Sequence, residues 1–172
     1  MMLAETPALR LTELTLDMAP SIHENSLDDE TRKYLPDEVF ETLEDAQETI
    51  KFLISQYGAC NGPLVYAVIR KADNCNVGYV QMVPRKDHTW EVGYHIGSRY
   101  RGNGYATEAV SAFLPIMART IGIEAIYGIC LKENIASCRV LEKCGFEKTF
   151  EGLGEYQGER RDIVKTVWHI AQ

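Results

Sequence analysis

The spacing of hydrophobic residues changes several times along the chain, and each change predicts a different element. Residues 9–14 (LRLTEL) predict a first strand. Two acidic segments, at about 20–34 and 43–57, then predict helices. In the second of these, apolar residues recur at the helical spacing. The first third of the chain is therefore expected to fold as one strand followed by two helices.

The next segment switches to a strand pattern. The runs LVYAVIRK (64–71) and VGYVQMV (77–83) are separated by the turn residues ADNCN, which predicts an antiparallel hairpin. A third strand follows at TWEVGYHIG (89–97). Because side chains alternate across a strand, one face of this third strand carries an apolar set and the other a more polar one. The apolar set is Trp90, Val92, Tyr94 and Ile96, and the opposite set is Glu91, Gly93 and His95.

The second half of the chain alternates helix and strand. A helix is predicted at about 105–120, and Pro115 is expected to kink it or loosen one turn. EAIYGICL (124–131) predicts a buried strand. A further helix is expected to begin at Asn134, a favoured N-cap, and to end at Gly145, a favoured residue just after a helix.

Two final strands, at about 147–153 and 161–170, flank the turn GEYQGER. The predicted order is therefore β-α-α-β-β-β-α-β-α-β-β. It predicts an α/β (mixed α+β) fold: a central mixed sheet with helices on both faces and parallel pairing around the central strand–helix–strand unit. No linker or repeat divides the 172 residues, so one domain spanning 1–172 is expected.

Composition excludes several classes of protein. The apolar runs are too short for a membrane-spanning helix, and the start MMLAETPALR lacks a secretory signal pattern, so a cytoplasmic location is expected. A net charge of −7 disfavours nucleic acid and membrane partners and mildly favours cationic molecules or peptides. Five cysteines without a C-x-x-C pair argue against a disulfide framework and a metal site.

The most informative stretch is SRYRGNGYATEA (98–109), where a glycine turn joins a strand to a helix. Such a turn offers unpaired backbone N–H groups and the positive end of a helix dipole to an anion. Gly102 and Gly104 would let a phosphate approach the backbone, and Arg99 and Arg101 add cationic donors. The spacing does not fit the P-loop or the dinucleotide-binding fingerprint. A structural turn and a nucleotide-phosphate site both stay open at this point.

The pattern R-x-x-G-x-G in WEVGYHIGSRYRGNGYATEAV, followed by NIASCRVLEKCGF, resembles the GNAT superfamily of acyl-CoA-dependent N-acetyltransferases. The closer likeness is to its branch similar to ribosomal-protein N-terminal acetyltransferases, and it covers nearly the whole chain. The resemblance implies transfer of an acetyl group from acetyl-CoA to a primary amine by direct attack in a ternary complex, without a metal. The acceptor could be a protein N-terminal α-amine or a small amine such as a free amino acid, a dipeptide, a polyamine or an aminoglycoside.

The resemblance also implies which residues bind coenzyme A. Its pyrophosphate would meet the backbone amides of the glycine turn, which are those of Arg101, Gly102, Asn103, Gly104, Tyr105 and Ala106. The pantetheine arm would pair with the backbone at the end of the preceding strand, at His95, Ile96 and Gly97. Asn134 corresponds to an asparagine that hydrogen-bonds this arm in relatives, and a pure capping role is an equal alternative.

Transfer of an acyl group from a thioester to an amine needs a neutral amine, a polarised carbonyl and protonation of the leaving thiolate. Glu91 is the preferred base, directly or through a water, and His95 is a second candidate. A carboxylate that only orders the substrate is the alternative for Glu91. Many relatives place a tyrosine at the sulfur, where this sequence has Leu141. Ser137, which shares a helix face with Asn134, is the substitute expected there.

The missing tyrosine supports a second hypothesis, a module that binds or senses acyl-CoA without catalysis. The identity of the amine is expected to depend on the first sixty residues and the turn GEYQGER. Exposed edges of such a sheet are also compatible with a homodimer.

Overall fold

The computed structural model describes residues 1–171, and its strands form one eight-stranded sheet. The strands are β1 (Met2–Glu5), β2 (Leu9–Glu13), β3 (Leu64–Arg70), β4 (Cys75–Pro84), β5 (Trp90–Ile96), β6 (Ala125–Leu131), β7 (Glu147–Tyr156) and β8 (Glu159–His169). The helices are α1 (Ala19–Asn25), α2 (Asp29–Tyr34), α3 (Leu43–Ser55), α4 (Tyr105–Ile121) and α5 (Ile135–Lys143). No helix in residues 1–171 is long and apolar enough to cross a bilayer.

The strands lie in the order β1-β2-β3-β4-β5-β6-β8-β7, and every neighbouring pair is antiparallel except β5 and β6. This mixed sheet confirms the predicted fold class, including the parallel pairing around the central strand–helix–strand unit.

Two elements differ from the prediction. The edge strand β1 was not predicted, because four residues are too few to show a period.

The second difference is that the acidic segment 20–34 is not one helix but contains α1 and α2. Asp28 divides them, because its backbone is extended and its side chain accepts a hydrogen bond from the N–H of Thr31 at 2.9 Å. This is an N-cap, which starts a new helix instead of continuing the old one.

The helices pack on both faces of the sheet, and alternate residues of β3 belong to different cores. Val68 faces the larger core, which includes Phe113 and Leu114 of α4 and Leu141 of α5. Ala67 faces the smaller core with α1 and α3. Since successive side chains of a strand point to opposite faces, the two cores lie on opposite sides of the sheet. Helix α4 continues through Pro115 as far as Ile121.

The parallel strands β5 and β6 separate soon after they meet. Their register joins Glu91 to Tyr127 alone, whereas β6 pairs with β8 along its whole length. Beyond this position the backbones diverge and open a cleft in the sheet. This cleft holds the site described next, since residues of both strands line it.

Candidate active site

The cleft contains a cavity of about 1080 Å³ that is lined from both faces of the sheet. One side is formed by the glycine turn, the start of α4 and one face of α5. The other side is formed by α2, the turn that follows it, and the turn between β7 and β8. Two molecules can therefore enter from opposite faces and meet between β5 and β6.

The glycine turn has the backbone geometry that its sequence predicts. Gly102 and Gly104 have φ angles of +82° and +76°, in the left-handed region that favours glycine. Gly104 directly precedes α4, whose first N–H groups have no partner within the helix. No other group lies within 4 Å of where a Cβ would stand on either glycine. The turn is thus a bare concave surface of the shape and polarity that a pyrophosphate fits.

The two arginine side chains of the turn contact carboxylates instead of facing the cavity together. Arg101 donates from Nε to the carbonyl oxygen of Ile96 at 3.0 Å, and its guanidinium pairs with Glu30. Arg99 pairs with Glu24 at 3.0 Å. Of the residues expected at the cofactor, Gly97, Arg99 and Asn103 do not line the cavity, whereas His95, Ile96, Arg101, Gly102, Gly104, Tyr105, Ala106, Asn134 and Ser137 do.

His95 is a buried link between β5 and α2. Its Nε2 lies 2.7 Å from the hydroxyl of Thr31, and its ring stacks on Tyr79. Burial lowers the pKa of His95 to about 4, assisted by the charge of Arg101, so its ring is neutral at pH 7. An imidazole with this pKa is a weak base, and its contacts fit a structural side chain whose backbone borders the cavity.

Glu91 lies in the cleft where β5 and β6 begin to separate. Burial raises the pKa of its carboxyl to about 7, and the like charge of Glu38 adds to this effect. Arg85, at 3.8 Å, acts in the opposite direction, as does Lys165. A carboxylate with this pKa is half-ionised near neutral pH, which is the property that a general base needs.

Tyr94 and Ser137 meet on the other face of β5. The phenol oxygen of Tyr94 lies 2.7 Å from the Ser137 hydroxyl and donates to the Ser137 carbonyl oxygen at 3.0 Å. Burial raises the pKa of Tyr94 above its usual value, so its proton stays in place. Asn134 caps α5, its side-chain oxygen accepting from the N–H of Ser137 at 3.3 Å. The pairing of Tyr94 with Ser137 had no signal in the sequence, because it depends on how α5 docks against β5.

The side of the cavity nearest α2 contains further polar groups. They include Glu38, Gln81 and Tyr156. The Tyr156 hydroxyl donates to the carbonyl oxygen of Tyr34 at 3.0 Å, which ties the β7–β8 turn to α2. Burial raises the pKa of Tyr156 to about 12, together with the charges of Glu38 and Glu91. Of the first sixty residues and the stretch GEYQGER, the structure brings only residues within 30–38 and 155–158 to the cavity. Loops carry no periodicity that would identify these side chains from the sequence.

Comparison with known proteins identifies the family. The model of the acetyltransferase (GNAT) domain matches residues 8–147. An uncharacterized N-acetyltransferase of Bacillus subtilis, YnaD, is 29% identical over 144 residues, which are 83% of this chain and 81% of that protein. The [ribosomal protein uS5]-alanine N-acetyltransferase of Escherichia coli is 35% identical over 83 residues, 46% of this chain and 42% of that protein.

Solved structures share the fold. A GNAT-family acetyltransferase from Bacillus anthracis superposes with a TM-score of 0.82 at 24% identity, covering 98% of both chains. A ribosomal L7/L12 alpha-N-protein acetyltransferase in complex with coenzyme A superposes with a TM-score of 0.83 at 18% identity, covering 99% of this chain and 98% of that one. The family expected from the glycine turn and the second motif is thus confirmed. The chain belongs to the GNAT acetyltransferase family and is an acetyl-CoA-dependent acetyltransferase.

Proposed function

We propose that this acetyltransferase transfers the acetyl group to the α-amine of a protein N-terminus, by direct attack within a ternary complex. The observation that carries the proposal is the cleft between β5 and β6, which is open to both faces and has Glu91 on one side and Ser137 on the other. Acetylation of an α-amine also needs less help from a base than acetylation of a lysine side chain, because more of the α-amine is already neutral. At pH 7 roughly one α-amine in ten is neutral, against about one lysine in two thousand.

The relatives support this choice of acceptor. The Escherichia coli relative is named for an alanine of ribosomal protein uS5, and one structural neighbour, from Salmonella typhimurium, is described as modifying the N-terminal serine of ribosomal protein L7/L12. Both names describe protein α-amines, the acceptor class proposed here.

For the cofactor, we assign the pyrophosphate to the backbone of the glycine turn, residues 101–106. The backbone of His95 and Ile96, which line the cavity, would pair with the pantetheine arm. Gly97 is left out of this proposal, because its N–H already donates to Val77 and its carbonyl oxygen accepts from Tyr100. Asn134 can cap α5 and bind this arm at once, because its side-chain oxygen is used by Ser137 while its amide nitrogen is left to donate. Among residues 1–171 no group of three or more metal-ligating side chains is placed to hold a metal ion, and the proposed chemistry uses none.

The residues that act in the chemical step lie on the two faces of β5, with the base on one face and the group at the sulfur on the other. Glu91 takes a proton from the attacking amine, directly or through one water. The amine nitrogen forms the new bond to the acetyl carbon, and the carbon–sulfur bond breaks. The Ser137 hydroxyl, held by its 2.7 Å contact with Tyr94, donates a hydrogen bond to the departing sulfur. The thiolate then takes a proton from water, and Glu91 returns its proton to water. Leu141, at the position of the usual tyrosine, is buried in the core and has no proton to donate, so the hydrogen bond from Ser137 takes the place of that acid.

Replacing either hydroxyl should lower turnover without preventing folding. Tyr94→Phe and Ser137→Ala are each expected to reduce kcat about 10- to 100-fold, because Ser137 donates to the leaving thiolate and Tyr94 holds the Ser137 hydroxyl in position. Since the two groups act through one hydrogen bond, the double variant should lose little more than either single variant. Rapid-mixing measurements of coenzyme A release would show this. Additive losses in the double variant would contradict an action through this shared hydrogen bond.

A coenzyme A release assay with a panel of amines tests the proposed function. The panel contains tetrapeptide amides that begin with alanine or serine, spermidine and free alanine, with the N-acetylated peptides as controls. The peptides with free α-amines should be acetylated fastest, and their acetylated forms should give no release. Faster turnover of spermidine or free alanine would show that small amines, and not protein N-termini, are the preferred acceptors. Heat stabilisation by acetyl-CoA without turnover of any amine would favour a non-catalytic acyl-CoA module.

Two further expectations from the sequence stay predictions. They are a location in the cytoplasm and a homodimer formed through a sheet edge.

A further inference from the structure

Glu38 is a half-buried carboxylate at the acceptor side of the cavity. It ends the short turn Pro36–Glu38 that follows α2, and it lines the cavity together with Gln81. One carboxylate oxygen accepts from the Gln81 side-chain amide at 2.7 Å, and the other accepts from the Tyr79 hydroxyl. These two donors fix the orientation of the carboxylate, so its position in the wall is set before any acceptor arrives.

The charge of Glu38 has no cation to balance it. Burial raises the pKa of its carboxyl, Asp37 adds to this, and no lysine, arginine or histidine of residues 1–171 is among the groups that act on it. Glu91 differs, because Arg85 and Lys165 both stabilise its charge. A buried carboxylate without a counter-ion is costly, and its retention facing a cavity indicates that the ligand supplies the missing charge.

The bonds that Glu38 already makes leave room for such a ligand. An ionised carboxylate can accept about four hydrogen bonds, and the two oxygens of Glu38 each accept one from the protein. The charge of Glu38 also raises the pKa of Glu91, and both carboxylates raise the pKa of Tyr156. A cation that enters the cavity between the two carboxylates would relieve this repulsion.

We propose that Glu38 binds the ammonium form of the acceptor amine and so selects for cationic amines, an inference that rests on the proposed function. Glu38 holds the charged amine at the wall. One proton passes from the ammonium group to water before attack, and Glu91 takes the second proton as the amide forms. The acetylated product is a neutral amide that Glu38 no longer attracts. The same contact therefore favours binding of the substrate over its own product.

The test compares binding of a charged ligand and its neutral counterpart. The probes are an alanine-first tetrapeptide amide and its N-acetylated form, each titrated calorimetrically into the protein saturated with coenzyme A. Glu38→Gln preserves the local hydrogen bonds, because the Gln81 amide can flip to accept from the new amide while Tyr79 still donates. Glu38→Asp keeps the charge and serves as the conservative variant. Glu48→Gln is the matched control, since it removes an exposed carboxylate from α3 outside the cavity.

Glu38→Gln is expected to weaken binding of the free-amine peptide by about tenfold, the usual effect of losing one charge-assisted hydrogen bond. Binding of the acetylated peptide and the KM for acetyl-CoA should not change. Glu38→Asp should recover part of the lost affinity, and Glu48→Gln should behave as the unmodified protein does. In turnover, KM for the peptide should rise more than kcat falls.

Two results would overturn the inference while leaving the proposed function intact. One is equal affinity of the unmodified protein and Glu38→Gln for the free-amine peptide. The other is an equal loss of affinity for both peptides, which would show that Glu38 only maintains the shape of the wall. If the unmodified protein neither binds nor acetylates any peptide amine, the proposed function fails and this inference fails with it.

Discussion

Glu91→Gln should lower kcat by about 100- to 10,000-fold on a peptide α-amine, the range expected when a general base is lost. The substitution keeps the size and polarity of the side chain, so the cavity and the binding of acetyl-CoA should be unchanged. Single-turnover rates under saturating acetyl-CoA would report the chemical step directly. Glu142→Gln is the matched control, because it removes an exposed carboxylate from α5 outside the cavity.

The pH dependence of the acetylation rate tests the role of Glu91 separately. Its folded pKa is raised to about 7, and only the ionised carboxylate can take a proton. The rate should therefore rise as pH increases through about 7 in the unmodified protein, in addition to the rise caused by the amine's own ionisation near 8. Glu91→Gln should keep only the second rise. A variant with the same pH profile and a rate within threefold of the unmodified protein would show that the base is elsewhere.

Gly104→Val should weaken acetyl-CoA binding by about 100-fold, which corresponds to two lost charge-assisted hydrogen bonds of ~1.5 kcal/mol each. At a φ of +76° a β-branched residue is strained, and its side chain would fill the open space above the turn. Calorimetric titration with acetyl-CoA measures the affinity. Circular dichroism and thermal unfolding would check that the variant stays folded, since no other group lies within 4 Å of the new Cβ position.

The control for this variant lies at the other end of the same helix. Gly122 follows α4 with a φ of +81°, and it too has open space where a Cβ would stand. Gly122→Val should cost a similar ~1–2 kcal/mol of backbone strain while leaving cofactor affinity unchanged. If a folded Gly104→Val variant bound acetyl-CoA as tightly as Gly122→Val does, the pyrophosphate site would have to lie elsewhere.

Much of the fold was predictable because its signals are local. The alternation in β5 correctly placed Glu91 and Tyr94 on opposite faces, since a strand has a fixed period of two. The cap at Asn134 and the left-handed Gly145 bounded α5 as expected. Prediction failed for β1 and for the break between α1 and α2, where elements of four to seven residues are too short for periodicity to outweigh a single capping side chain.

In the candidate site, too, local features were predictable and long-range contacts were not. The anion-binding turn was readable because Gly102 and Gly104 act through their own backbone, which needs no partner from elsewhere in the chain. The directions of the Arg99 and Arg101 side chains were not readable, because they are decided by carboxylates of Glu24 and Glu30, which are distant in sequence. The ion pair that a flexible arginine side chain forms depends on how the helices pack.

By itself, the sequence determined the family of this protein, the glycine turn and the position of Glu91 on β5, because each depends on short-range spacing. Only the tertiary structure decided that Tyr94 meets Ser137, that His95 is buried and neutral, and that Glu38 faces the cleft without a cation. The physical reason is that pKa values and hydrogen-bond partners depend on burial and on the charges nearby. These are fixed by packing between elements that lie far apart in the chain.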